Sequence, residues 1–424
     1  MMIEAERERR EMRLIVPGER DEVEDAGCHV RIYYVASPRS PLFDSRYRLL
    51  MPHQYLAGGG KIRKILIDEQ PDLIEVSDKY TLNWLAGIIR KRGIQGLRRP
   101  VLVGMSCERM DDNIGAFLSK GGLARRLARF YIKWLYTPLF DFHIANSNYT
   151  AEELLKDVRP DAVDRIVVCP RGVDWEHFSS RHRSALVRRH LLKKAEGNSE
   201  TRLLLYTGRL SPEKNLSLLV DMMEVLSRTS HDYKLIIAGG GPLENWISRE
   251  GKYRTAGRIH LVGHISDREE LACLYTNADA FIHPNPREPF GIAPLEAMAA
   301  GCPVVVPNAG GVLSYADTDN SWIARPDGKS FAAAVENIFA APSAREEKCE
   351  RARKTAAEHR WSDVVSKYFQ VYEELHRRFH EEEANGKSFA WTKPSEETRS
   401  QESEAERQDS KEICPEETFV IRRR

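Results

Sequence analysis

Several things are scarce in this sequence. Charge of one sign is the first: 64 Lys and Arg against 63 Asp and Glu leave a formal net charge of +1, which removes any global electrostatic argument for a nucleic-acid partner. Long apolar runs are also missing, since no uninterrupted stretch approaches the roughly 18 residues of a membrane span. The first ten residues are too charged for a signal peptide. The seven cysteines, Cys28, Cys107, Cys169, Cys273, Cys302, Cys349 and Cys414, are odd in number, far apart and form no CxxC pair. They indicate no disulfide framework, and reduced thiols in a cytosolic protein are expected. The thirteen histidines show no HExxH or comparable spacing, so no metal site is assigned. What is left is a soluble or peripherally attached protein.

Its 424 residues predict two or three domains. Short apolar runs at 13–16, 29–35, 72–76, 101–105, 142–145 and 165–169 alternate with helical patterns at 61–69, 81–91, 122–136 and 150–156, the signature of βαβ crossovers in a parallel sheet. Thr150-x-x-Glu153 reads as a capping box opening the last of these helices. The stretch 179–201, with Lys193-Lys194 and Gly197-Asn198-Ser199, reads as helix and linker. A second series follows, with strands at 203–206, 235–238, 259–262, 280–283 and 304–306 and helices at 216–226, 243–248, 269–275 and 293–299. Asp327 is an expected N-cap, 361–379 an amphipathic helix, and 381–424 is too polar to order itself. The expected division is a first α/β domain over 1–180, a linker over 181–200, a second α/β domain over 201–360, a C-terminal helix over 361–380 and a disordered tail over 381–424.

Three blocks carry chemistry. The densest is His283-Pro284-Asn285-Pro286-Arg287-Glu288-Pro289-Phe290-Gly291-Ile292-Ala293-Pro294-Leu295-Glu296, which follows an apolar strand and opens a helix. Ligands bind in an open α/β sheet at that carboxyl-end crevice, and free amides around Phe290, Gly291 and Ile292 would face an anion at the positive end of the helix. Glu288 in the loop and Glu296 in the helix can bracket a ligand. The second block, Gly208-Arg209-Leu210-Ser211-Pro212-Glu213-Lys214-Asn215, supplies a planar fork of donors in Arg209 and a point charge in Lys214, suited to a diphosphate. In the third, Gly239-Gly240-Gly241-Pro242, Glu244 stands where a dinucleotide fingerprint needs its last glycine, so a tight turn beside a ligand fits better than a nicotinamide site.

In order and spacing these blocks resemble the C-terminal domain of the retaining glycosyltransferases of family four. So do Val262-Gly263-His264-Ile265, Ala300-Gly301-Cys302-Pro303 and Asn308-Ala309-Gly310-Gly311. The N-terminal half is similar to the same family through Pro71-Asp72-Leu73-Ile74-Glu75-Val76, Ala145-Asn146-Ser147-x-x-Thr150 and Pro170-Arg171-Gly172-Val173-Asp174. The resemblance implies the GT-B fold, two facing Rossmann-like α/β domains with a C-terminal helix crossing back. It implies transfer of a hexosyl unit from a UDP- or GDP-sugar to a lipid or glycan hydroxyl, with retention, and without metal or bound cofactor. By the same likeness Arg209, Lys214 and Glu288 form the catalytic set. Gly208, Gly240, Gly241, Phe290, Gly291 and Ile292 would line the donor, Glu296 would hold the ribose, and Ile265 would pack on the base.

Two departures stand out. Relatives begin with a strand and a glycine-rich loop, and nothing before Arg13 supplies either; Gly58-Gly59-Gly60 lies too far along and reads as a turn. Ser106-Cys107-Glu108-Arg109 follows a strand where many relatives carry a histidine near the acceptor. Other activities left open are a nucleotide-sugar-binding protein without turnover and a sugar-nucleotide epimerase. Asp317-x-Asp319 is too short a pattern to assign a metal. Arg125, Arg126, Arg129 and Lys133 interleave with Leu127, Phe130, Trp134 and Leu135 over 122–136. That helix is expected to pack in the domain with a solvated basic face, and contact with the inner face of an anionic membrane is the alternative.

Overall fold

The architecture is that of a computed structural model, which describes residues 1–40, 48–111, 122–156, 158 and 160–386. Thirteen strands occur among these residues. In the C-terminal half, β8 (Arg202–Thr207), β9 (Tyr233–Ala238), β10 (Ile259–Gly263), β11 (Ala280–Ile282), β12 (Val304–Pro307) and β13 (Trp322–Ala324) form one sheet in the order β10-β9-β8-β11-β12-β13. All of its pairings are parallel. Continuous apolar runs make these strands because both faces are covered. Leu203, Leu205, Ile236, Phe281, Val304 and Val306 point into one core, while Leu204, Tyr206, Leu235, Ile237, Ile282 and Val305 point into the other, the alternation that a pleated strand imposes. The helix Ser217–Leu226 lays Leu219, Met222, Met223 and Leu226 on the second core.

The N-terminal half is built differently. The strands β1 (Met12–Gly18), β2 (Glu22–Asp25) and β3 (Val30–Ala36) form one sheet in the order β1-β3-β2, and β4 (Leu73–Val76), β5 (Val101–Ser106), β6 (Phe142–Ala145) and β7 (Ile166–Val168) form another in chain order. The strands β1 and β3 pair in parallel, β2 pairs antiparallel to β3, and the second sheet is parallel throughout. Thus β1 ends one ladder and β4 ends the other. No described strand precedes β1; the helix Met2–Arg7 stands there instead.

The helix Trp361–Ala384 returns to this half. Val365 and Phe369 pack with Ala5 and Val30, Tyr372 Oη donates to Glu75 at 2.7 Å, and Arg10 pairs with Glu373 at 2.6 Å. This helix runs past residue 380, because Glu381 to Ala384 complete its last turn, so disorder does not begin at 381; residues 387–424 lie outside the described residues. Another expectation is corrected at the helix Asn148–Leu155, which is capped by Ser147 and Thr150. Glu153, expected in a capping box, is buried, pairing with Lys79 Nζ at 2.7 Å and accepting the amides of Met110 at 2.6 Å and Asp111 at 3.0 Å. No described helix is long and apolar enough to cross a membrane.

Candidate active site

The order of the six-stranded sheet reverses direction between β8 and β11, and such a switch point opens a crevice at the carboxyl ends of the strands. Two adjoining cavities, of about 320 and 560 Å³, lie there and share Gly208, Arg209 and Ile292.

The smaller cavity brings together Arg209, Lys214, Glu288, Phe290 and Gly291, with Cys107, Asn146 and Arg171 from the N-terminal half. Local structure places each group. The turn Pro212–Lys214 ends at Asn215, whose backbone is left-handed (φ 54°). Asn215 Nδ2 then donates to the Pro284 carbonyl at 2.9 Å, tying this turn to the second block. Lys214 Nζ meets Glu288 Oε2 at 2.8 Å, and Asn285 Nδ2 donates to the same oxygen at 3.0 Å. Burial pushes the Glu288 carboxyl up, but Lys214, His283 and the Asn285 amide more than offset it, leaving its pKa below the ordinary range. His283 is buried and pushed down to about 4, chiefly by desolvation, with Glu288 acting against that shift. Arg209 is half-exposed, with Nη1 4.0 Å from Glu213.

The helix Ile292–Ala299 starts from Gly291 at φ 88° with no side chain capping it. A residue with a Cβ is strained there, and the uncapped end leaves backbone amides at the cavity. Gly311 sits so close to the Pro289 carbonyl that a Cβ would clash, and its amide donates to the Glu288 carbonyl at 2.7 Å. The loop that carries Glu288 is therefore held from behind.

The larger cavity is lined by Gly240, His264, Ile265, Tyr275 and Glu296 among others. Tyr275 Oη donates to Glu296 Oε2 at 2.8 Å and is itself hydrogen-bonded to Thr207 Oγ1. Burial raises Glu296 to about 7 despite that bond. Gly241 lines neither cavity; a Cβ there would lie 2.5 Å from the Leu210 carbonyl, so this glycine supports the Arg209 turn from behind instead of facing the ligand space.

Every other predicted site residue falls on one wall or the other. The sequence reading missed Tyr275, because an aromatic at helical spacing has the pattern of a core residue. Asp317, considered for metal, accepts the amides of Asp319 at 2.8 Å and Asn320 at 3.1 Å and so closes its own turn. Among the described residues no cluster of three His, Cys, Asp or Glu side chains could hold a metal. Leu127, Phe130, Trp134 and Leu135, expected to pack inward, are 62, 56, 46 and 40 % exposed; Ala128, Ile132 and Tyr136 take the inward positions instead.

Comparison with known proteins places this geometry. The family model described as "Glycosyl transferases group 1" matches residues 187–359, and the one described as "Glycosyltransferase Family 4" matches residues 4–177. The chain is 32 % identical over 343 residues, 81 % of its length and 83 % of the relative's, to a GDP-mannose-dependent alpha-(1-6)-phosphatidylinositol dimannoside mannosyltransferase of Mycobacterium tuberculosis. It is 28 % identical over 307 residues, 71 % of this chain and 65 % of the other, to a GDP-mannose-dependent alpha-mannosyltransferase of Corynebacterium glutamicum. Among solved structures it is similar in fold to sucrose-phosphate synthase from Thermosynechococcus elongatus, with a TM-score of 0.68, 17 % identity, and coverage of 89 % and 92 % of the two chains. It is also similar to Anabaena HepE in complex with UDP, with a TM-score of 0.57, 20 % identity, and coverage of 74 % and 80 %. The two α/β halves, the cavities at the switch point and these matches together establish that the chain belongs to the group 1, family-four-type glycosyltransferases of the GT-B fold.

Proposed function

We propose that this glycosyltransferase moves a mannosyl unit from GDP-mannose to a hydroxyl of a lipid-linked glycan, with retention and without a metal ion. The observation that carries the reading is the convergence of Arg209, Lys214 and the open N-terminus of the helix Ile292–Ala299 on one cavity. These cationic and backbone donors suit a departing diphosphate, and stabilising that charge is the main work a protein does in such a transfer. The larger cavity suits the nucleoside, with Glu296 accepting from the ribose and Ile265 against the base. The GDP-mannose dependence of the two relatives supports the donor, and the lipid acceptor of the mycobacterial one supports the acceptor. Glu288 then stands beside the sugar, and the departing phosphate takes the acceptor's proton.

The exposed Leu127, Phe130, Trp134 and Leu135 beside Arg126, Arg129 and Lys133 support peripheral contact with an anionic bilayer, where a lipid acceptor would be met.

Incubation with GDP-mannose, GDP-glucose, UDP-glucose and UDP-galactose and a phosphoinositol glycolipid acceptor tests this reading. Transfer from GDP-mannose with an α-linked product and no loss on chelation is expected. Isomerised donor without transfer would point to an epimerase, and tight nucleotide binding with neither product to a binding protein. Flotation with phosphatidylserine vesicles tests the membrane face, and Phe130→Ser with Trp134→Ser should abolish it.

A further inference from the structure

One wall of the smaller cavity has no part in the reading above. It comes from the N-terminal half and consists of Cys107, Asn146 and Arg171. Arg171 is half-buried, and among the described residues its guanidinium has no hydrogen bond or ion pair. Several buried or half-buried guanidiniums of this half are matched: Arg109 holds Asp111 at 2.7 Å, Arg99 and Arg90 both hold Asp141 at 2.8 Å, and Arg13 holds Glu69 at 2.6 Å. An unmatched one facing a cavity has given up the bonds its five donors could make.

Its backbone is fixed. The Cys169 carbonyl accepts from Tyr368 Oη at 2.9 Å. The Val173 amide donates to the His359 carbonyl at 2.8 Å, and the Trp361 amide donates to the Val173 carbonyl at 2.9 Å. Between these ties, Gly172 lies against the returning chain, where a Cβ would be 2.9 Å from the Trp361 ring and 3.0 Å from the His359 carbonyl. The segment Pro170-Arg171-Gly172-Val173 is thus clamped on both sides by the C-terminal helix and its approach.

The neighbouring groups on this wall are donors. Asn146 Oδ1 accepts from Thr150 Oγ1 at 2.9 Å, leaving its amide nitrogen for the cavity. Burial, with Glu108 adding, raises Cys107, so the thiol keeps its proton and brings no negative charge. The carboxylate that lines the same cavity, Glu288, is already matched by Lys214, and Glu75, which feels the charge of Arg171 from outside the cavity lining, is raised by burial and accepts from Tyr372 Oη at 2.7 Å. A guanidinium with no ion-paired or hydrogen-bonded carboxylate among the described residues therefore faces the cleft that Arg209 and Lys214 also line. A guanidinium fork of this kind matches the paired oxygens of a phosphate.

We propose that Arg171, with the Asn146 amide, forms an anion subsite for a phosphate carried by the acceptor, so that the enzyme selects acceptors whose receiving glycan is attached to a phosphodiester. The inference rests on the transferase reading, in which the donor diphosphate is served from the opposite wall. It assigns the second anion of the cleft to the other substrate.

Calorimetry on the full chain separates the two levels. GDP is titrated first; failure of the wild-type chain to bind it would remove the transferase reading itself. Glycerophosphoinositol, inositol and inorganic phosphate are then titrated into protein saturated with GDP. Glycerophosphoinositol should bind about tenfold or more tightly than inositol, the scale of one charge-assisted hydrogen bond. Arg171→Gln should erase that difference, Arg171→Lys should keep part of it, and both should bind GDP within about twofold of wild type, with an unchanged thermal transition. Equal binding of glycerophosphoinositol and inositol by the wild-type chain, or no binding of either, would overturn the subsite. So would weakened GDP binding in Arg171→Gln with the acceptor preference intact, which would assign Arg171 to the donor diphosphate. Inorganic phosphate binding as tightly as glycerophosphoinositol would also count against it, by locating a free anion there.

Discussion

The two halves of this chain solve one problem with unequal means. The C-terminal half closes six parallel strands into a single ladder, and its first strand, β8, is buried from Leu203 to Thr207. The N-terminal half divides seven strands between two ladders, and the strands at the division, β1 and β4, are mostly half-exposed. A strand paired on one side leaves a row of backbone donors and acceptors to find other partners. Here the returning helix Trp361–Ala384 supplies much of the cover, through Val365, Phe369 and Tyr372. The C-terminal half holds itself together, and it also holds its neighbour.

The sharpest way to break this comparison is to end the chain at residue 360. Amides of Met12–Gly18, Val30–Ala36 and Leu73–Val76 should then exchange with solvent about tenfold or more faster, while Arg202–Thr207 and Tyr233–Ala238 stay protected. Equal loss in both halves would show that the helix supports the whole molecule. Next in size, Lys214→Ala should lower turnover about 10²- to 10³-fold by removing charge set against the diphosphate, with both halves unfolding as in wild type; retention of full turnover would discard this site. Third, Phe281→Ala, fully buried in the C-terminal core, should cost about 3–5 kcal/mol. Ile15→Ala in half-exposed β1 should cost under about 2 kcal/mol, and denaturant titration reporting similar losses would erase the contrast.

The smallest effect concerns pH. Glu296 is raised from 4.5 to about 7, so in the ligand-free protein it stabilises the fold fully below about pH 4.5 and that contribution is lost as pH rises through 7. Glu296→Gln should flatten this part of the melting-temperature profile. A profile unchanged by the substitution would mean that Glu296 is more exposed than its position beside Tyr275 implies.

Much of this was legible before any coordinates. Buried parallel strands are continuous apolar runs, so β5, β6, β8 and β9 stood out, and the three blocks at strand ends mark the cavities because glycine and cationic side chains cluster where a backbone must turn beside a ligand. The antiparallel β2, Glu22–Asp25, is wholly exposed and has no apolar alternation to reveal it. Glu153 looked like a capping residue because its spacing from Thr150 is local, whereas its partner Lys79 lies 74 residues away. Arg171 was visible only as part of a motif. That no described carboxylate comes within ion-pair distance of it is a fact of three dimensions.

The ion pair between Lys214 and Glu288 gives the cleft a resident counter-ion. On the proposed reading, arrival of a nucleotide sugar is then an exchange of partners: the diphosphate takes the ammonium, and the carboxylate is handed to the sugar side. Because the cation meets one partner before binding and another after it, small ions from solution have little to displace. Affinity for the donor should therefore fall with added salt much less steeply than the count of positive groups around it would suggest, and the carboxylate becomes available only once the sugar that needs it has arrived.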